Sequence, residues 1–175
     1  AVQGREKDDY YAIDPRAIDA LARIVRLPHR VWEPCCGGGH LSRRLTELGH
    51  DVVSSDLVDR GYGDTADFFT APLPEGCACI VTNPPYKHAT DMVCRALDLL
   101  PDGGLLAMFL KVQYLEGKER WRRVFSVAPP VLVCPFVERM RCSMNGTFSK
   151  GEQSAIAFAW YVWRKGHTGD TVIRW

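Results

Sequence analysis

Two adjacent prolines placed directly behind an apolar run constrain this chain more than any other feature. Ala78-Cys79-Ile80-Val81 reads as a buried strand, and Thr82-Asn83-Pro84-Pro85-Tyr86 follows at once. Proline has no N–H for a strand ladder and holds its predecessor extended, so the strand must stop here in a stiff peptide. The Asn83 side chain and the Pro84 carbonyl are then offered as acceptors at the strand's carboxyl edge. Tyr86 places a flat ring just beyond them. Two fixed acceptors beside a stacking surface suit an amide or an exocyclic amine on a planar group. A rigid strand-to-helix loop with an incidental aromatic would carry the same letters, so the rest of the chain must decide.

Upstream, Asp14 and Pro15 form a helix start, and Ile18, Leu21, Ala22 and Val25 recur at helical spacing over residues 10–27. Arg30 to Pro34 reads as a short strand with an acidic end. Glu33-Pro34-Cys35-Cys36-Gly37-Gly38-Gly39-His40-Leu41 then leads into a helix near 41–48. Strand, glycine-rich turn and helix open a nucleotide-binding α/β unit, since glycines admit close backbone approach. The strict dinucleotide fingerprint is missing, and no Gly-Lys-Ser/Thr follows, which argues against a phosphate-cradling loop. A second strand, 51–56, ends in Asp56, about 20 residues past the glycines, where such folds place a carboxylate for ribose hydroxyls. Asp67-Phe68-Phe69 pairs an acceptor with rings that suit an adenine or the core.

Beyond the Pro-Pro motif, 90–100 reads as an amphipathic helix and Leu105 to Val112 as an apolar strand ending near Lys111. A basic helix is expected over 118–128, strands over Val131 to Val137 and 154–163, and a polar loop between them. The expected fold is a doubly wound, mostly parallel, seven-stranded Rossmann-like α/β sheet with an antiparallel C-terminal edge hairpin. Residues 1–175 are expected to form one domain with no separate target-recognition domain. Glu33, Asp56, Asp67 and Asn83 all fall where strands end, the ligand edge of such sheets.

Charge is divided. Residues 1–100 hold 11 Lys/Arg and 15 Asp/Glu, whereas 101–175 hold 11 and 6. An acidic first part and a basic second part suggest two tasks. No apolar run reaches the length of a membrane span, and residues 1–10 lack the pattern of a signal peptide. The seven cysteines lie mostly in apolar runs without zinc spacing, so reduced thiols, no metal and a cytoplasmic setting are expected.

With these motifs in order, the chain resembles a class I S-adenosylmethionine-dependent methyltransferase of the amino-methylating group, most closely the DNA adenine-N6 enzymes. The glycine turn after Glu33 matches that family's cofactor loop, and Asn83-Pro84-Pro85-Tyr86 matches its catalytic tetrad. The resemblance implies S-adenosylmethionine as cofactor, with Glu33, Pro34, Cys36, Gly37 and Gly39 on its methionine part. It places Asp56 and Leu57 on the ribose side, Asp67 and Phe68 on the adenine, Tyr11 in the N-terminal cofactor motif, and Asn83 against the cofactor as well as the target amine. Ile13-Asp14-Pro15 departs there from the family's commoner Thr-Pro. Asn83 and Pro84 would accept the protons of the target amine, Tyr86 would stack on a base flipped out of its duplex, and no metal would be needed.

The implied partner is nucleic acid, DNA first. Lys111, Arg122, Arg123, Arg141, Phe148 and Lys150 are the substrate candidates. A partner or homo-oligomer could supply target recognition. RNA adenine, cytosine-N4 or protein glutamine-N5 methylation, and a non-catalytic cofactor-binding scaffold, remain alternatives from the same letters.

Overall fold

The computed structural model describes residues 11–144 and 155–175. Its main sheet starts in the middle and grows outward on both sides. The strands are β2 (Arg30–Glu33), β3 (Asp51–Asp56), β4 (Asp64–Thr65), β5 (Cys79–Thr82), β6 (Leu105–Lys111), β7 (Leu132–Pro135), β9 (Phe158–Arg164) and β10 (Val172–Ile173). Their order in space is β10-β7-β9-β6-β5-β2-β3-β4. All neighbours run parallel except β9, which is antiparallel to both β6 and β7. The chain leaves β2 toward β3 and returns to the other side of β2 as β5. That reversal opens a crevice outside the carboxyl ends of β2 and β5, which carry Glu33 and Thr82-Asn83.

Helices cover both faces. On one face α1 (Arg16–Ile24) and α2 (His40–Glu47) bury Ile18, Leu21, Leu41 and Leu45 against Val31, Cys79, Val81 and Phe109. On the other, α3 (Ala89–Leu99) buries Met92 and Val93 against Ile80, Leu106, Met108 and Tyr161. Alternate residues of one strand thus enter different cores, which is why β5, β6 and β9 read as unbroken apolar runs. Trp160 is fully buried, and its indole N–H donates to the Ala17 carbonyl at 2.7 Å, locking α1 onto the sheet.

Three features differ from the sequence expectation. Among the described residues the sheet has eight strands against the expected seven: the six strands read from the sequence are joined by β4 and β10, whose two residues each are too short to carry a periodic signal. The antiparallel hairpin of β7 and β9 does not end the sheet. β9 pairs with all seven residues of β6 and lies inside, while β10 forms the edge beside β7. The expected helix over 118–128 shortens to a single turn, α4 (Lys118–Arg120), that widens into a π turn over Trp121–Phe125.

A further element is a two-stranded antiparallel ribbon. β1 (Tyr11–Ile13) pairs with β8 (Cys142–Met144), Ala12 opposite Ser143. Asp14 accepts the Arg16 backbone N–H at 3.0 Å and so starts α1 where the ribbon ends. No helix among the described residues is long and apolar enough to cross a membrane. The seven cysteines are free thiols, and no group of three or more His, Cys, Asp or Glu among the described residues could hold a metal ion.

Candidate active site

Local chemistry explains the Asn83–Tyr86 turn. β5 ends at Thr82, Pro84 is buried, Pro85 is extended with φ −61° and ψ 118°, and a 3-10 turn over Tyr86–His88 starts α3. The prolines give no ladder hydrogen bonds, so the chain leaves the sheet before the helix begins. The Asn83 amide is then oriented from afar. Its Nδ2 donates to the Tyr11 carbonyl at 2.6 Å, across 72 residues of chain. With the nitrogen side committed, Oδ1 is buried and accepts no hydrogen bond among the described residues. A buried acceptor left without a donor costs about 1–3 kcal/mol, so this oxygen calls for a donor from a bound molecule, a water or a ligand N–H. The Pro84 carbonyl likewise takes no hydrogen bond from the described residues.

Tyr86 is half-buried. Its ring stacks on Phe158 at 6.1 Å, Phe158 stacks on Phe109 at 4.8 Å, and the Lys111 ammonium sits 4.9 Å from the Tyr86 centroid. Its hydroxyl is buried toward Cys142, and that burial raises its pKa. The ring is therefore braced by the sheet and already shared with a cation.

The opposite wall comes from β2 and β3. Glu33 is only 1% exposed, and Ser42 of α2 donates to its Oε2 while lying 2.6 Å from the Ser54 hydroxyl. Burial first, and the nearby Asp56 charge after the Ser42 hydrogen bond has partly opposed it, push the Glu33 pKa up to about 8. Asp56 ties the glycine turn to β3, accepting the Gly37 N–H at 2.9 Å through Oδ2 and the Val58 N–H at 3.1 Å through Oδ1. Each carboxylate oxygen has a second lone pair, so both can still accept a hydroxyl. The Cys36 thiol is buried, donates weakly to the Tyr62 carbonyl at 3.4 Å, and is pushed up to about 12 by burial, which keeps it neutral.

Tyr11, Ala12, Ile13, Glu33, Cys35, Cys36, His40, Leu41 and Asn83 enclose a common cavity of about 20 Å³. That volume suits one water. A nucleoside-sized ligand would require its walls to part. Of the two strands among these walls, β1 pairs with one strand, β8, whereas β2 pairs with two, β3 and β5. A larger cavity of about 290 Å³ lies at the amino ends of β5 and β6, beside Ala78 and Leu105, away from these acids and acceptors.

The structure spreads the remaining candidates. Leu57 is 67% exposed next to Asp56 and offers an apolar surface there. Phe68 is instead a core ring, 5% exposed and 5.3 Å from Trp32, because the chain after β4 folds it under the sheet edge. Asp67 accepts the Phe69 N–H at 2.9 Å, and Phe69 is the exposed ring of the pair. Arg123 is held by Asp91 at 2.6 Å and Glu119 at 3.1 Å, so its charge is already compensated. Arg122 is exposed, and the Arg141 carbonyl accepts the Asp14 N–H at 3.1 Å beside the ribbon. Phe148 and Lys150 lie outside the described residues.

Tyr62 was not singled out from the sequence. Its ring occupies the space beside Gly39, where an added Cβ would lie 2.5 Å from it, and Arg43 covers that ring at 4.4 Å. The close approach at Gly39 is therefore to Tyr62. Only the flanking Gly61 and Gly63 hinted at it in the sequence. Gly39 also has φ 80°, a left-handed conformation. We expect Gly39→Ala to destabilise the fold by about 2 kcal/mol through strain and overlap, read as a lower denaturant midpoint with unchanged slope. An unchanged midpoint would mean that Tyr62 moves aside freely.

No family model matches this chain, and no curated protein matches it. Solved structures do. A provisionally assigned class I S-adenosylmethionine-dependent methyltransferase of Listeria monocytogenes aligns with 91% of this chain and 63% of its own, at TM-score 0.56 and 10% identity. The type I restriction-modification methyltransferase subunit of Streptococcus thermophilus aligns with 93% of this chain and 46% of its own, at TM-score 0.62 and 16% identity. A TehB-like S-adenosylmethionine-dependent methyltransferase of Corynebacterium glutamicum covers 86% of each, at TM-score 0.52 and 16% identity. The chain thus spans less than two thirds of the first two proteins. At these identities the likeness concerns the backbone, and it shows that this chain has the fold of class I S-adenosylmethionine-dependent methyltransferases.

Proposed function

We propose that this protein transfers a methyl group from S-adenosylmethionine to the exocyclic N6 amine of adenine in DNA. The observation that carries the reading is the buried Asn83 Oδ1, without a partner among the described residues and next in the chain to the Pro84 carbonyl, at the switch point of a methyltransferase fold. Two acceptors fixed at that point match the two protons of a primary amine.

Glu33 would hold the cationic end of the methionine moiety. A buried acid with no cation beside it is costly, and a ligand ammonium would compensate it. The Pro34–Gly39 turn would line the same end. Asp56 would accept ribose hydroxyls with its remaining lone pairs, Leu57 would cover an apolar face, and Asp67 would take the adenine amine. Phe68 would back that wall from the core rather than stack on the ligand. Tyr11, at the mouth, would close over the cofactor with β1. Bound there, the cofactor supplies an electrophilic methyl on a sulfonium.

The amine of adenine is a weak nucleophile because its lone pair is delocalised into the ring. Asn83 Oδ1 and the Pro84 carbonyl would accept its two N–H groups and favour a more tetrahedral nitrogen, with the lone pair free to point at the methyl. Both oxygens would also stabilise the positive charge that grows on nitrogen as the C–S bond breaks and leaves a neutral thioether, and one N–H proton would then pass to solvent. Because the acceptors are oriented beforehand, this stabilisation needs no reorganisation at the moment of reaction. Tyr86 would stack on the target base, in competition with Lys111, and Lys111 would move to phosphate.

The deciding experiment is transfer of tritiated methyl to DNA, RNA and peptide pools, followed by nucleoside mass spectrometry. N6-methyladenine in DNA is the expected product, and label in peptide alone would overturn the reading. We also expect Asp56→Ala to weaken S-adenosylmethionine binding at least tenfold by calorimetry, since it removes both the ribose acceptor and the Gly37 tie. Unchanged affinity would remove Asp56 from the site.

A further inference from the structure

Resting on the nucleic-acid reading above, we propose that Trp121 is a stacking platform for an unpaired base next to the target adenine, with Lys118 and Arg122 on the adjoining phosphates. The segment carrying it starts at the site. β6 ends at Lys111 beside Tyr86, and the chain then crosses the first turn of α3, immediately after the Pro-Pro motif. Tyr114 is buried and donates to Thr90 Oγ1 at 3.3 Å, Arg123 pairs with Asp91 at 2.6 Å, and Val124 is buried. These contacts moor the segment without help from Trp121, which is 63% exposed. The largely exposed indole leaves an aromatic face open on a turn that other residues anchor, and aromatic faces are what unpaired bases stack on.

The cations around it fall into two groups. Arg120 lies 5.2 Å over the Tyr114 ring and donates to the Glu116 carbonyl, and Arg123 is tied to Asp91 and Glu119. Lys118 and Arg122, on either side of Trp121 in the chain, make no ion pair among the described residues. Against them stand Glu116, exposed, and the one negative charge left over where Arg123 meets both Asp91 and Glu119, while Arg120 adds a third cation. The surplus is positive, as a phosphate chain requires. A single strand fits better than an intact duplex, because in a duplex each base face is covered by the neighbouring stacked pairs.

The test is anisotropy of a labelled, adenine-containing single-stranded oligonucleotide with wild type, Trp121→Ala and Trp121→Phe, alongside calorimetry with S-adenosylmethionine. Trp121→Ala should weaken oligonucleotide binding about tenfold or more. Trp121→Phe should recover most of it, and cofactor affinity and thermal midpoint should stay at wild-type values. Wild-type oligonucleotide affinity in Trp121→Ala overturns the platform while leaving the methylation reading intact. If the wild type binds neither single- nor double-stranded oligonucleotides, the nucleic-acid reading falls and the platform with it. If Trp121→Ala changes only self-association by sedimentation, the surface is a protein contact and the proposal is wrong.

Discussion

Replacing Asn83 with alanine is expected to lower the methyl-transfer rate by about 100- to 1,000-fold while leaving S-adenosylmethionine affinity within a factor of about three. The asymmetry follows from the geometry. The Nδ2 group is spent on the Tyr11 carbonyl, so only Oδ1 faces the cavity, and its value arises as the amine nitrogen becomes positive. Asn83→Asp separates orientation from acceptance. It keeps an oxygen toward the substrate but sets a second, negative oxygen near the Tyr11 carbonyl that now receives no donor, so β1 should be pushed away. That variant should retain some turnover with weakened cofactor binding. Single-turnover rates and calorimetry distinguish the two effects. Wild-type turnover in Asn83→Ala would end the catalytic assignment, and loss of cofactor binding alone would make Asn83 a cofactor ligand.

The Glu33 carboxyl should make the fold less stable as pH rises. In the unfolded chain it ionises near its ordinary value of 4.5, whereas burial holds it protonated to about 8 in the folded one. Between those values the folded state binds more protons than the unfolded state. Stability from this group is therefore full below about pH 4.5, falls steadily toward pH 8, and is flat above. The loss is of order a few kcal/mol by linkage, at about 1.4 kcal/mol per pKa unit. Glu33→Gln can still accept from Ser42 and has no proton to lose. It should flatten this slope and be more stable than wild type at pH 8, measured by denaturant midpoints across pH. Parallel pH profiles for the two proteins would show that Glu33 is ionised in the folded chain.

The two halves of the candidate site were not equally visible in the residues. The stop after Thr82, the glycine turn after Glu33 and the acid at the end of β3 depend on backbone chemistry within a few positions, so their letters carry them. The sheet's interior strands were legible for a similar reason, since a strand covered on both faces has no polar alternation to display. Phe68 shows where local reading stops. An aspartate followed by two aromatics cannot say which ring is buried; packing against Trp32 decides that. The same holds for the cations, because Arg122 and Arg123 are neighbours in sequence, yet only Arg123 meets two acids. Eight strands in place of seven, and the burial of β9 inside the sheet, arise from pairings between distant segments that short elements do not announce.

Residues acting on their own neighbours determined where β5 ends, where the backbone turns left-handed at Gly37 and Gly39, and which acids stand at strand ends. Only the tertiary structure decided that a ribbon of residues 11–13 and 142–144 reaches over the crevice and turns the Asn83 amide so that its oxygen faces inward. The physical reason is that a side-chain amide has two nearly equivalent orientations. The choice between them rests on one carbonyl 72 residues away in the chain, which no local pattern contains.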